Sequence, residues 1–357
     1  MAYTNIDDPS AHFQIKLWTG NGSTSTGITI TNDGNSDLQP DLIWNKQRTT
    51  ANHGLWDSSR GISRSLTSNN TNAEQYNAGK GITSFNTNGF TGVKEGWVQF
   101  NRSAEPYVAW QWKANGGTTS SNTDGNTTTT VQANQDAGFS IVTYTGTGSG
   151  SQTMGHGLGV TPNIVLTKNR SGTGRAWSFN GNFGGLIYGT NKLTLNQSTA
   201  LAADTNDITA ASSTTFTGGG SNGTNANGVT YVAYCFAEKQ GYSKFGSYVG
   251  NGSPNGAFIY TGFKPAWVMV KQSNTARNWQ IFDNKRDGYN IDYMPRLKAD
   301  TNDAETASSG ASMDFVSNGF KLRTSQTGAN QNGGTYIYMA FAENPFTTST
   351  GVPCTAR

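Results

Sequence analysis

Tyr336-Ile-Tyr-Met-Ala-Phe-Ala-Glu343 is the stretch that decides the fold, because related stretches occur twice earlier in the chain. They are Tyr231-Val-Ala-Tyr-Cys-Phe-Ala-Glu238 and Tyr107-Val-Ala-Trp-Gln-Trp-Lys-Ala114. In an extended strand, alternation puts Ile337, Met339 and Phe341 on one face and the tyrosines and alanines on the other. Because both faces are apolar or aromatic, each of these closing stretches is predicted to be a central strand.

Two further motifs precede each closing stretch, always in the same order. The first motif is Trp18-Thr-Gly-Asn-Gly-Ser23, Tyr144-Thr-Gly-Thr-Gly-Ser149 and Tyr248-Val-Gly-Asn-Gly-Ser253. The second is Pro40-Asp-Leu-Ile-Trp-Asn-Lys46, Pro162-Asn-Ile-Val-Leu-Thr-Lys168 and Pro265-Ala-Trp-Val-Met-Val-Lys271. From this proline to the closing tyrosine the chain advances by 67, 69 and 71 residues, so one module occurs three times.

A period of about 100 residues is longer than the unit of a solenoid and suits an independent domain. Short runs of β-branched and aromatic residues, bounded by Gly, Asn or Pro, indicate strands. We therefore expect an all-β protein of three tandem β-sandwich repeats, of the jelly-roll or concanavalin-like type, each with its own core. The predicted organisation is an N-terminal arm (1–12), repeat 1 (13–114), a flexible Gly/Ser/Thr/Asn linker or surface loop (115–138), repeat 2 (139–238), repeat 3 (245–343) and a C-terminal tail (344–357).

The composition is polar but carries little charge. Charged residues make up 13% of the chain and the formal net charge is +3, which is too small and too scattered for a nucleic-acid partner. Apolar runs are too short for membrane insertion. The first nine residues lack the basic and apolar parts of a secretory signal, so we expect folding in a reducing cytoplasm, with Cys235 as a buried thiol.

No repeated catalytic motif is found. His12, His53 and His156 stand at non-equivalent positions, and repeat 3 contains no histidine. The sequence patterns of nucleotide binding and of hydrolases are absent, so no catalytic residue, cofactor or metal ligand is predicted. The Asp-Thr-Asn-Asp segments at 204–207 and 300–303 are interpreted as capped turns, and a Ca²⁺ site is the alternative that the sequence leaves open.

Tryptophans and Asp-x-x-Arg segments recur between these motifs. Trp56, Trp177 and Trp279 follow the prolines by 14 to 16 residues and are the candidate glycan or partner contacts, as stacking platforms for sugars. A residue present in every repeat is more simply explained by a place in the hydrophobic core that each repeat has, and that is the competing interpretation. The segments Asp57-Ser-Ser-Arg60 and Asp283-Asn-Lys-Arg286 predict a structural Asp–Arg bridge that fixes a turn.

Several stretches of the sequence resemble a known protein family. They include Ala233-Tyr-Cys-Phe-Ala-Glu238, Tyr260-Thr-Gly-Phe-Lys-Pro-Ala-Trp-Val-Met-Val-Lys271, Phe315-Val-Ser-Asn-Gly-Phe320 and the closing stretch as far as Phe346. These resemble a repeated β-rich domain of virion structural or tail-fibre-like proteins from marine tailed bacteriophages, of the kinds that infect cyanobacteria and other ocean bacteria. The resemblance covers nearly the whole chain, with repeat 1 more divergent. It implies a structural or adhesive role on the virion and supplies no catalytic residue.

We therefore expect a non-enzymatic virion protein, a surface appendage such as a capsid decoration or a short tail-attached knob or fibre. Its expected partners are other capsid or tail proteins, with a homo-oligomer and host-surface glycan as further candidates. One alternative is a receptor-binding adhesin for host glycan. A second alternative is a polysaccharide depolymerase, which would need paired carboxylates at equivalent positions. The arm is the expected docking segment, through its apolar and acidic residues Tyr3, Ile6, Asp7, Asp8 and Pro9.

Overall fold

The computed structural model describes residues 3–286, 294–307 and 312–354. These residues form antiparallel β-sheets and one 3-10 helical turn at Pro9–Ala11, so the all-β class is confirmed. Met1 and Ala2 of the predicted arm, 287–293 and 308–311 of repeat 3, and 355–357 of the predicted tail lie outside the described residues. In the described ranges, no helix has the length and apolar character needed to cross a membrane.

The strands follow one another closely along the chain. Those of repeat 1 are β1 (Phe13–Thr19), β2 (Ile28–Thr31), β3 (Leu42–Gln47), β4 (His53–Asp57), β5 (Arg64–Ser65), β6 (Gln75–Tyr76), β7 (Gly81–Asn86), β8 (Gly89–Val93) and β9 (Pro106–Trp112). The next are β10 (Ser120–Asn122), β11 (Thr129–Asn134), β12 (Phe139–Thr145), β13 (Gln152–Gly155), β14 (Ile164–Asn169), β15 (Ser178–Gly181), β16 (Asn191–Thr194), β17 (Ala202–Ala203), β18 (Ile208–Ala211), β19 (Thr215–Gly218) and β20 (Thr230–Phe236). Those of repeat 3 are β21 (Ser243–Val249), β22 (Phe258–Tyr260), β23 (Phe263–Gln272), β24 (Gln280–Asp283), β25 (Leu297–Lys298), β26 (Met313–Val316), β27 (Gly319–Leu322) and β28 (Thr335–Pro345).

One large sheet runs through each repeat, and the same strand order occurs in all three. The orders are β1-β9-β3-β4, β12-β20-β14-β15 and β21-β28-β23-β24, with further strands at the ends of the last two sheets. The closing strands β9, β20 and β28 are paired on both sides, which confirms that they are central. Two residues after the motif prolines, Leu42 pairs with Trp112, Ile164 with Phe236 and Trp267 with Phe341. Positions related by this register are called equivalent below.

The glycine-rich opening motif has the same structural role in each repeat. Its aromatic residue stacks on the closing tyrosine, and a tight turn follows. The ring centroids are 5.0 Å apart for Trp18 and Tyr107, 5.2 Å for Tyr144 and Tyr231, and 5.0 Å for Tyr248 and Tyr336. In the turn, a Cβ atom on Gly146 would lie 2.3 Å from the carbonyl oxygen of Ala226. Only glycine allows the two backbone segments to approach so closely.

A three-stranded outer sheet covers one face of each large sheet. The orders are β2-β8-β7, β13-β19-β18 and β22-β27-β26. A separate apolar core fills the space between the two layers of each repeat, and the equivalent residues Phe90, Phe216 and Phe320 lie in these three cores. Each repeat is therefore packed in two layers.

The other face of each large sheet is also apolar, and the three faces meet in a fourth, shared core. Trp112, Phe236 and Phe341 are equivalent and contact one another there. Their ring centroids are 6.4 Å (Trp112 and Phe236), 6.0 Å (Phe236 and Phe341) and 5.5 Å (Phe341 and Trp112) apart. The three repeats thus surround a pseudo-three-fold axis. Each repeat has its own core, as expected, but the sequence did not predict this fourth core, in which the other repeats cover the second face of each central strand.

The segment 115–138 is not a flexible linker, and that expectation is corrected. It contains β10 and β11, which extend the large sheet of repeat 2 beside β12. Val131 packs in the core of repeat 2, and Gln132 Nε2 donates to the hydroxyl oxygens of Ser58 and Ser59 at 2.9 and 2.7 Å. A threonine-rich strand contains few apolar residues even when one face is buried, which is why its composition indicated a loop.

Candidate functional site

A buried aromatic ring at the start of the fourth strand of each large sheet joins each repeat to a neighbour. The equivalent residues are His53, Trp177 and Trp279, each four residues before the partner of Leu42, Ile164 or Trp267. The hydrogen bonds are Trp177 Nε1 to Thr67 O (2.7 Å), Trp279 Nε1 to Thr194 O (3.0 Å) and His53 Nε2 to Lys298 O (2.9 Å). They run from repeat 2 to 1, from 3 to 2 and from 1 to 3, so the arrangement is closed.

His53 replaces tryptophan in this role because two neighbours fix its protonation. Trp44 Nε1 donates to Nδ1 of His53 at 2.9 Å, so Nε2 carries the ring proton and donates to Lys298 O. Burial, followed by the charge of Lys46, lowers the pKa of His53 well below its ordinary value. The ring is therefore neutral in the folded protein.

The three candidate tryptophans do not form a glycan platform, and that interpretation is wrong. Trp56, Trp177 and Trp279 are only 1%, 0% and 1% exposed, so no sugar can reach them. Trp56 also lies three residues beyond the position of the other two, packs in the core of repeat 1, and donates to Asn45 Oδ1 at 2.8 Å. The core interpretation is the correct one.

A chain of ion pairs crosses the boundary between repeats 1 and 2. Asp57 pairs with Arg60 at 2.5 Å, Arg60 with Glu74 at 2.9 Å, and Glu74 with Arg170 at 3.0 Å. Burial opposes ionisation of Glu74, but Arg60 and Arg170 outweigh burial and lower its pKa to about 2. Tyr234 of repeat 2 donates its hydroxyl to Asp57 Oδ2 at 2.7 Å. The Asp–Arg bridge predicted from the sequence is confirmed and extends across the boundary.

The equivalent chain crosses the boundary between repeats 3 and 1. Asp283 pairs with Arg286 at 2.6 Å, Arg286 with Glu305 at 2.9 Å, and Glu305 with Arg48 at 2.6 Å. Trp110 of repeat 1 donates its indole N–H to Asp283 Oδ2 at 3.0 Å. The charged residues of both series of ion pairs hold neighbouring repeats together and are not presented to a ligand.

The boundary between repeats 2 and 3 lacks these ionic residues. Gly181 stands at the aspartate position, Gly184 at the arginine position and Leu201 at the glutamate position. A backbone hydrogen bond between neighbouring repeats is nevertheless present at all three boundaries. These bonds are Glu74 N to Arg170 O (2.8 Å), Glu305 N to Arg48 O (2.7 Å) and Leu201 N to Ser273 O (2.7 Å). The backbone geometry is thus shared, whereas the ion pairs are specific to two boundaries.

The lysine of the proline motif is buried in every repeat. Lys46, Lys168 and Lys271 are each 0% exposed, and burial lowers their pKa values to about 7, 8 and 8. Their ammonium groups donate to backbone carbonyl oxygens, for example Lys46 to Thr49 O at 2.7 Å and Lys271 to Gln272 O at 2.6 Å. An amine with a low pKa is a good nucleophile only where a substrate can reach it. We therefore assign these lysines a structural role.

The N-terminal arm packs against its own chain, contrary to the expectation that it is free to dock. Ile6 belongs to the shared core, and Pro9 is buried. The polar contacts are Tyr3 Oη to Gly262 O (2.6 Å), Ser349 N to Asp7 Oδ1 (2.6 Å) and Ser36 Oγ to Asp8 Oδ2 (2.6 Å). Because an apolar residue of the arm completes the shared core, the arm is part of the fold.

The two Asp-Thr-Asn-Asp segments are hydrogen-bonded turns. Asp204, Asp207 and Asp303 have cationic partners, whereas Asp300 accepts from Asn278 and from the backbone N–H of Trp279. Asp204 Oδ2 accepts from the backbone N–H of Asp207 at 3.0 Å, and Lys192 pairs with Asp207 at 2.5 Å. Asp303 pairs with Lys298 at 2.7 Å. Among the described residues, three or more His, Cys, Asp or Glu side chains do not come together in a way that could hold a metal ion.

The outward faces of the three outer sheets differ in chemistry. Equivalent positions on the side away from the core carry Thr29, Thr31 and Thr91 in repeat 1, Thr153, Gly155 and Thr217 in repeat 2, and Phe258, Tyr260 and Lys321 in repeat 3. In repeat 2, Gly155 is buried against Asn122 of the preceding segment. Phe258 and Tyr260 are 48% and 54% exposed. We call Phe258, Tyr260 and Lys321 the aromatic face. The sequence interpretation missed it, although aromatic residues on both sides of Ile259 were a visible signal.

A family model described as a domain of unknown function, DUF7483, matches residues 8–345. The chain belongs to the DUF7483 family. The matched region includes all three repeats, so the DUF7483 domain corresponds to the complete pseudo-three-fold arrangement rather than to one repeat. Comparison with curated proteins and with solved structures found no match. In this DUF7483 domain the aromatic face is the candidate binding surface.

Proposed function

We propose that this DUF7483 protein is a non-enzymatic structural component on the outer surface of a tailed-bacteriophage particle. The pseudo-three-fold arrangement carries the proposal, because one chain presents three similar two-layer units around a single axis. Such a chain fits a place of local three-fold symmetry, as a capsid decoration, without first forming a trimer. The resemblance of repeats 2 and 3 to virion proteins supports the same role.

The distribution of ionisable groups supports the non-enzymatic part of the proposal. Residues with large pKa shifts are candidates for catalysis when they face a cleft. Here Lys46, Lys168 and Lys271 are enclosed, and Glu74 pairs with three arginines at a boundary between repeats. Lys46 and Lys168 donate to carbonyl oxygens of their own repeats, and Glu74 stabilises a contact between repeats.

An adhesin that recognises host glycan is the second candidate function. The aromatic face favours it, because exposed aromatic rings on a flat sheet suit sugar binding and have no counterpart on the other two repeats. An adhesin and a decoration protein share the same fold requirements and differ in their position on the particle.

Quantitative mass spectrometry of gradient-purified particles tests the proposal. We expect the chain to be present in a fixed ratio to the major capsid protein, at hundreds of copies per particle for a capsid decoration. A small multiple of three copies would instead place it on the tail and favour the adhesin. A cytoplasmic phage enzyme serves as the control for contamination, and depletion of the chain to the level of that enzyme would overturn the proposal.

A further inference from the structure

We propose that the aromatic face of repeat 3 binds an anionic polysaccharide. The inference goes beyond the structural role on a particle and does not depend on it. It rests on two exposed rings on one side of β22, on the ammonium group of Lys321 on the next strand, and on the comparison with the same sheet in the other repeats.

The Phe258 ring lies over the sheet, and Tyr260 follows it on the same side of the strand. Phe258 and Tyr260 lie on the same side of β22, so their attachment points are about 7 Å apart. A Cβ atom on Gly319 would lie 3.1 Å from Cε2 of Phe258, which shows that the Phe258 ring leans over the bare backbone of the next strand. The Tyr260 hydroxyl lies 3.2 Å from the hydroxyl of Tyr3. Oriented aromatic rings with one open side suit the apolar faces of successive sugar rings.

The charge on this face is positive. Lys321 lies directly opposite Phe258 on one side and Asp314 on the other. Asp314 pairs with Arg323 at 2.5 Å, and within residues 3–286, 294–307 and 312–354 Lys321 forms no ion pair. An ammonium group beside two stacking rings complements a carboxylate or sulfate group on a sugar.

The fold itself does not require these residues. Repeats 1 and 2 build the same sheet with Thr29 and Thr153 at the Phe258 position and with Thr91 and Thr217 at the Lys321 position. Threonine suits a solvent-facing strand position, and an exposed Phe-x-Tyr pair adds apolar surface in water without filling a core. The departure in repeat 3 therefore points to a ligand.

The size of the face favours a polysaccharide over a protein partner. A stable protein interface buries about 800 Å² on each partner. Large aromatic side chains bury about 150–250 Å² each when covered completely, and these two are already about half covered. Two rings and one ammonium group are enough for a few sugar units but too small for the apolar centre of a protein interface.

Affinity gel electrophoresis of the full chain tests the inference, with alginate as the anionic probe and dextran as the neutral probe. We expect alginate, but not dextran, to retard the protein, and added salt to weaken the retardation. The variants Phe258→Thr and Tyr260→Thr place threonine where repeat 1 has Thr29 and Thr31, so the sheet is retained. Together they should weaken alginate binding at least tenfold, and Lys321→Thr should remove the preference for alginate over dextran.

Tyr76→Thr is the matched control, because Tyr76 is an aromatic residue of repeat 1 that is 61% exposed. This control should bind alginate like the unchanged protein. The inference is overturned if the protein binds neither probe, if it binds both equally, or if the double variant binds as before. If the double variant binds alginate normally but is missing from purified particles, the aromatic face is a contact with another protein instead.

Discussion

Arg48 and Glu305 form an ion pair between the first and the last repeat, with Nη2 and Oε1 2.6 Å apart. Repeats 1 and 2, and repeats 2 and 3, are neighbours along the chain, but repeats 3 and 1 are not. This boundary therefore closes the pseudo-three-fold arrangement without help from chain connectivity. Glu305 also pairs with Arg286, whose side chain is completely buried, so the glutamate neutralises charge on both sides of the closure.

Glu305→Ala is expected to lower the free energy of unfolding by about 2–4 kcal/mol, because it leaves Arg286 buried with one carboxylate partner fewer and Arg48 without this one. Urea denaturation followed by tryptophan fluorescence measures the change. Asp33→Ala is the control, since Asp33 pairs with Lys16 at the surface and should cost less than about 1 kcal/mol. Equal effects of the two variants would show that the closure does not need its ion pairs.

Phe341→Ala is expected to cost about 3–5 kcal/mol, because the ring is buried at the pseudo-three-fold axis against Trp112 and Phe236. Phe258→Ala removes a ring of the same size from the surface and should change stability by less than about 1 kcal/mol. Both values come from the same denaturation experiment. A loss below about 1 kcal/mol for Phe341→Ala would mean that the centre of the shared core is not tightly packed.

The pattern of the closing strand predicted both faces of β28 correctly. Ile337, Met339 and Phe341 lie in the shared core, and the alternating tyrosines and alanines lie in the core of repeat 3. What the pattern could not predict is the partner of the second face. A strand that is apolar on both sides must be covered twice, but its sequence does not say whether the cover is another sheet of the same repeat or a neighbouring repeat.

The errors at the candidate site have a similar origin. Alignment by residue type grouped Trp56 with Trp177 and Trp279, whereas alignment by register puts His53 at their position. Histidine and tryptophan share a ring N–H that can donate to a carbonyl oxygen, and this common chemistry is invisible when residues are matched by name. Only the three-dimensional register shows that His53 performs the same function.

Acid is expected to destabilise the protein through His53. The pKa of this residue lies well below 6.5 in the fold, so below about pH 6.5 the unfolded chain binds a proton that the folded chain does not. The contribution of neutral His53 to the free energy of unfolding is therefore fully present above this pH. As the pH decreases toward the folded pKa, the free energy of unfolding falls by at most about 1.4 kcal/mol per pH unit.

The variant His53→Gln isolates this contribution, because an amide can accept from Trp44 and donate to Lys298 O without titrating. His12 and His156 titrate in both proteins, since burial lowers their pKa values as well. Denaturation at several pH values between 7 and 5 should thus show a smaller slope for the variant. Identical slopes would mean that His53 is not held neutral.

Ile6→Ala is expected to lower the free energy of unfolding by about 2–4 kcal/mol, because Ile6 is buried in the shared core. Ile62→Ala is the matched control, since Ile62 is 48% exposed, and it should have an effect below about 1 kcal/mol. Thermal and urea unfolding measure both variants. If Ile6→Ala were neutral, the arm would be dispensable for folding and the original expectation of a free docking segment would regain support.

Truncation after Gln240 tests whether the repeats are independent domains. It removes Phe341 from the axis, Glu305 from Arg48 and the carbonyl of Lys298 from His53. The apolar faces of the two remaining large sheets would then be open to water on one side, and exposed apolar surface of this kind promotes aggregation. We therefore expect the fragment to aggregate or to bind a hydrophobic dye during size-exclusion chromatography.

Co-expression of the fragment with residues 241–357 is the matching control, and it should restore a soluble complex because the missing faces are supplied by a separate chain. The unfolding of the fragment alone shows whether the repeats fold independently or need one another. A monomeric fragment with a single cooperative transition and no dye binding would show that repeats 1 and 2 fold without repeat 3. In that case the shared core would be a contact between finished domains rather than a condition for folding.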